Sequence, residues 1–115
     1  MNRLKIVVFV YSLLFFFSCS SEKKKQAPTV FLDEKQMVDV MTDVQIMEAA
    51  ISYKRSNNQK TAYLRTRGYD TLFAHYGITD SIFRENVKYY NDVKPQALIR
   101  IMDSVEVRIG AMTTQ

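Results

Sequence analysis

Two kinds of hydrophobic pattern divide the chain. From Ile6 to Phe17 every position except Ser12 is apolar, a run with no polar face, preceded by the positive Arg3 and Lys5. From Leu32 onward the apolar residues instead recur every three or four positions, the spacing of a helix with one buried side. In "LDEKQMVDVMTDVQIMEAAISYKR", Met37, Val40, Met41, Val44, Met47 and Ile51 form one stripe, and no Gly or Pro interrupts it up to Arg55. Asp33 stands at the N-cap, Gln36 follows three residues later, and Leu32 can staple onto Met37, so the helix start is written locally.

Three further helices follow by the same reasoning. Ser56, Asn57 and Asn58 form a turn, and a second helix runs to Tyr76 with Ala62, Tyr69, Leu72, Phe73 and Tyr76 inward. Gly68 weakens its interior; Gly77 supplies the left-handed residue at its end, with Ile78 as the capping contact. Thr79 or Asp80 caps a third helix that turns Ile82, Phe83, Val87, Tyr89 and Tyr90 inward and ends near Asn91. Pro95 opens a fourth, with Leu98, Ile101, Met102, Val105, Ile109 and Met112 as its stripe. There is no strand alternation and no internal repeat. The expected fold is all-α, a small antiparallel bundle of about four helices joined by short turns. At this size only about 60 to 65% of the unfolded surface is buried, so stability should be modest, and a partner protein or homodimer is expected to add to it.

The apolar run at the front is too short for the roughly 20 residues of a membrane-spanning helix, yet it matches the 7 to 15 or so of a secretory signal peptide. Directly after it stands Cys19, the single cysteine of the chain. A lone cysteine in an exported protein is a free thiol, half of an intermolecular bridge, or a modification site. With Ser18 before it and Ser20 and Ser21 after it, the position resembles the lipobox of bacterial lipoproteins, although Phe16 stands where leucine is usual and Phe17 where a small residue is usual. The resemblance implies a diacylglycerol thioether on Cys19 and removal of residues 1–18 as the signal peptide. Residues 19–29 then form the lipidated cysteine and a flexible tether, and residues 30–115 the helical domain. Each buried methylene contributes about 0.8 kcal/mol, so two or three chains on one sulfur hold a protein at its membrane. By the same resemblance, the absence of Asp after Cys19 and of an acid-rich stretch implies an outer-membrane lipoprotein facing the periplasm.

A formal net charge of +4 and a pI near 9.2 invite a nucleic-acid reading, but the excess lies at the front. From Ala27 onward eleven basic side chains balance eleven acidic ones, so the domain carries no basic stripe and nucleic-acid binding is excluded. Lys23, Lys24 and Lys25 either add about 1 kcal/mol each against anionic head groups or simply extend the tether.

Within the domain, Glu48 projects into an apolar stripe, an unusual place for a carboxylate without a partner. Arg65 lies on the apolar side of the next helix, and both residues are about eight positions from the turn at Asn57, which puts them at one height in a hairpin. The expectation is a buried structural pair, Glu48 with Arg65, joined by Asn86; the competing reading is a catalytic acid at Glu48 with a perturbed pKa. Asp39 and Asp43 could share a metal with His75, but they project away from the stripe as a solvated face would. His75 has no Ser or Cys partner in a triad arrangement, and the three glycines are isolated, so neither catalytic residues nor a cofactor are implied.

The lipobox, "MVDVMTDVQIMEAA", "LFAHYGIT", "IFRENVKYYND" and the helix after Pro95 together resemble a family of short bacterial lipoproteins, domain of unknown function 4296, over about residues 28 to 112. The resemblance implies an all-helical fold and an envelope location, and it supplies no activity and no catalytic residues. The functional expectation is a non-enzymatic interaction or scaffolding module for another envelope protein. Tyr69, Phe73, Tyr76, Phe83, Tyr89 and Tyr90 are the expected contact patch, since tyrosines with methionines suit an adaptable surface, although core filling uses the same residues. A small-molecule or lipid carrier with a pocket between helices is the alternative, and an enzyme using Glu48 a weaker one.

Overall fold

The computed structural model describes residues 2–14 and 26–115. The described residues are all-helical: α1 (Asn2–Leu14), α2 (Glu34–Ser56), α3 (Ala62–His75), α4 (Asp80–Val93) and α5 (Pro95–Thr113). Cys19 and the lysines after it lie outside them. Leu4, Ile6, Val7, Val8, Phe9, Val10 and Tyr11 on α1 are all more than half exposed. None of the other helices touches α1, and the chain as a whole is elongated, 79 × 35 × 28 Å. Among the described residues no helix is long and apolar enough to cross a membrane.

The helix ends follow local chemistry. The Asp33 side chain accepts from the Gln36 N–H while the Gln36 side chain accepts from the Asp33 N–H, a complete capping box. Thr79 caps α4 by accepting from the Ile82 N–H, and Pro95 occupies the first turn of α5. Gly77 takes φ +67, the left-handed conformation that ends α3 with little strain, and Ile78 beside it is buried. A single residue, Lys94, is both the C-cap of α4 and the N-cap of α5, so the chain turns sharply there.

The core joins Met37, Val38 and Val40 of α2 with Leu72 and Phe73 of α3, Tyr90 of α4, and Ala97, Ile101 and Val105 of α5. Against α5, α2 makes its largest interface; it also packs on α3, and α4 touches both α3 and α5. Because α2 serves two neighbours, its buried surface is wider than one stripe and takes in Val38 and Thr42, whose hydroxyl is satisfied by the Val38 carbonyl at 2.6 Å. Conversely, Met102 and Met112 of the expected α5 stripe are 39% and 53% exposed, and Ala97 is buried in their place.

One expectation about the architecture is overturned. Glu48 of α2 meets Arg65 and Tyr69 of α3 while Asp43 meets Tyr76, so these two helices are antiparallel. Along the other interface Glu34 pairs with Arg100 and Asp39 with Arg108, in the same direction, so α2 and α5 are parallel rather than alternating. The cause is α4, which does not fold back along the length of α3: it meets that helix through Phe83 on Phe73 and packs its middle against the extended residues before α2. Extending the parallel register by the helical rise brings the end of α5 beside the middle of α2. Beyond that level the domain is a two-helix hairpin.

The non-helical segment at residues 30–32 is tied to the core. Asn86, fully buried, accepts the Leu32 N–H at 2.8 Å and donates to the Val30 carbonyl at 2.8 Å and the Ile82 carbonyl at 2.8 Å. The Tyr90 hydroxyl donates to the Leu32 carbonyl at 2.8 Å, and the Leu32 side chain is itself buried. Both backbone groups of Leu32 are therefore satisfied by α4, which is what allows an extended residue in an apolar interior.

Candidate functional site

Polar side chains gather along the seam between α2 and α3. The Tyr69 hydroxyl donates to the Glu48 carboxylate, and Arg65 Nη1 lies 3.5 Å from Glu48 Oε1. The pair is not buried as expected, since the Arg65 and Glu48 side chains are 45% and 38% exposed, and Asn86 is engaged with residues 30–32 instead. Equal distance from the turn fixes the height of two side chains, not their depth, and at this height only two helices are present to cover them.

Two turns further along α3, the Tyr76 hydroxyl donates to Asp43 Oδ2 at 2.6 Å, with the Asp39 carbonyl at 3.2 Å. Asp39 itself accepts from Arg108 Nη1 at 2.6 Å and Lys35 Nζ at 3.3 Å, and the Arg108 bond first of all holds its pKa below the usual carboxylate range. Burial first, then the bond to Glu48, pushes the Tyr69 hydroxyl up to about 12. Burial and the bond to Asp43 do the same to Tyr76, also to about 12. Both phenols are thus held protonated as donors. His75 stands edge-on to Tyr76 at 5.1 Å between ring centroids, and no group of three metal-ligating side chains occurs among the described residues.

Two depressions flank α3. An open groove of about 690 Å³ runs along one side, with Ile46, Met47, Ala50 and Leu72 as apolar lining and Arg67 and His75 at its rim. Its floor is a close helix contact: a Cβ on Gly68 would lie 3.0 Å from Met47 Sδ, so the glycine that weakens α3 lets α2 approach. On the other side Arg65, Asp70, Asp80 and Arg84 surround a more polar hollow of about 510 Å³ over Phe73 and Phe83. Arg84 is engaged by Asp80 at 2.8 Å.

The expected aromatic contact patch divides. Phe73 and Tyr90 are 3% and 1% exposed, core residues unable to meet a partner, because the hydroxyl of Tyr90 is used on Leu32 and Phe73 is sandwiched by Tyr69 and Phe83. Tyr69, Tyr76 and Phe83 are half-buried and pack around the same core. Half-buried Tyr89 belongs to a different surface, where it meets Phe31 edge-on at 5.8 Å, and Lys94 Nζ lies 5.3 Å above the Phe31 ring and 5.8 Å from that of Tyr89. Sequence reasoning missed Phe31 and Lys94 here; the signal available was a phenylalanine just outside the first helix, with no stripe to place it in.

No curated protein and no solved structure matches the chain. A family model matches residues 28–115, which include all four packed helices. The chain belongs to the family described as domain of unknown function (DUF4296).

Proposed function

We propose that this is a lipoprotein of the bacterial envelope, held by a lipid on Cys19, whose helical domain serves as a non-enzymatic interaction or scaffolding module facing the periplasm. The observation that carries the reading is the order of parts: an apolar run ending at Phe17, two residues before Cys19, a short polar stretch, then a segment at Val30–Leu32 tied directly into a packed core. That order suits a protein tethered at one end and presenting the other. The hairpin of α2 and α3, which extends past α5 and carries exposed Ile46, Tyr53 and Tyr63, is the surface offered to a partner. Metabolic labelling with palmitate should mark the protein and fail on Cys19→Ala; label retained by that variant overturns the anchor. Crosslinking from the hairpin at native expression should join it to one envelope protein, or to a second copy, at a defined ratio.

The groove over Gly68 favours one second reading, a carrier of a small apolar molecule. Native mass spectrometry of the purified domain should then find a co-purified ligand that Gly68→Phe displaces, and bare protein at every preparation removes this reading.

A further inference from the structure

We propose that the end of the domain where the tether enters rests on the lipid surface itself, through Val30, Phe31, Tyr89, Val93 and Lys94. This inference rests on the lipidation proposed above. Val30 and Phe31 are each 44% exposed and Val93 38%, in the part of the molecule where the core is otherwise best closed. Tyr89 and Val93 are four residues apart on α4 and so share a face. Phe31 lies against Tyr89, and the Lys94 ammonium sits over both rings. Apolar side chains, a tyrosine and a lysine whose stem lies along aromatic rings make the set of groups that settles at a membrane–water boundary. The rings and valines enter the head-group layer while the ammonium stays hydrated and meets anionic lipid.

Geometry selects lipid over other occupants. Ten residues separate Cys19 from Val30, a leash of at most about 40 Å, so this face stays within that reach of the bilayer. Tethering raises the effective concentration of lipid at the face, and an affinity negligible in free solution becomes sufficient. The nearby carboxylate of Glu34 does not oppose the contact, because Arg100 clasps it through Nη2 at 2.6 Å and Nε at 3.3 Å.

The chain contains no tryptophan, so single substitutions report one place each. Full processed lipoprotein carrying Phe31→Trp, Val93→Trp or, at the exposed hairpin, Tyr53→Trp is to be reconstituted in vesicles of phosphatidylethanolamine and phosphatidylglycerol with brominated acyl chains. Emission should be blue-shifted and largely lost at Phe31→Trp and Val93→Trp, and unchanged at Tyr53→Trp. Equal, unquenched emission at all three overturns the contact. Unquenched emission that shifts blue with protein density overturns it too, in favour of a second copy on this face. Intact mass of the same sample separates the two readings: a chain without acyl groups defeats the anchor, whereas a diacylated chain with an unquenched Phe31→Trp defeats only the seating.

Discussion

The end of the domain around residues 30–32 and the hairpin end solve the same problem, polar groups beside an apolar interior, in opposite ways. At the first of these ends Asn86 and Tyr90 are fully enclosed, and every bond they make is to backbone. At the hairpin, Glu48, Asp43, Tyr69 and Tyr76 bond side chain to side chain at the edge of solvent. The first arrangement fixes one geometry, since a buried donor or acceptor left alone costs about 1–3 kcal/mol. The second can be rearranged cheaply, because water replaces whatever is lost. Rigidity therefore belongs at the end around residues 30–32, and the adjustable surface lies along the α2–α3 seam.

This contrast can be tested by substitution, starting with the largest effect. Asn86→Ala orphans the Leu32 N–H and the Val30 carbonyl and leaves a void, and should cost about 3 kcal/mol in chemical denaturation; a loss under 1 kcal/mol would mean the end around residues 30–32 is no more rigid than the hairpin. Next comes alkali. Tyr69 and Tyr76 ionise near 12 when folded and near 10 when unfolded, so the folded state holds its protons more tightly. Their contribution is intact below pH 10 and disappears as pH rises from about 10 to 12. Discounted for partial exposure, the two together should lose on the order of 2 kcal/mol, followed by tyrosinate absorbance and helical signal. Gly77→Ala should cost about 1 kcal/mol from the left-handed backbone alone, since nothing lies within 4 Å of the added carbon. Smallest is Glu48→Gln, less than about 0.5 kcal/mol by denaturation, because the amide oxygen still accepts from Tyr69 and the Arg65 contact is solvated. Its more telling readout is the Tyr69 titration, which should move back toward 10.

Which features could be read from residues alone follows from the range of the forces involved. Asp33 with Gln36, Gly77, and Pro95 act within one turn of chain, and each marks a helix end in place. The direction of α5 against α2 was not legible, since an apolar stripe states which face is buried and not which way its neighbour runs. Asn86 stands out as a polar residue among apolar ones, but its partners do not, because the groups it satisfies include the backbone of residues 30–32 and no side chain announces them. The pattern marks Tyr69 and Tyr76 as inward-facing residues and as part of a contact patch; their hydroxyls, two turns apart and facing acids on α2, are the clue it does not use.

The clasp on Leu32 has a mechanical meaning. A pull arriving from the amino-terminal side travels through Val30 and stops where Asn86 and Tyr90 grip the chain, before it reaches the first turn of α2. Such a load is thereby passed sideways into α4 and shared by several bonds at once, instead of unzipping the first long helix one turn at a time.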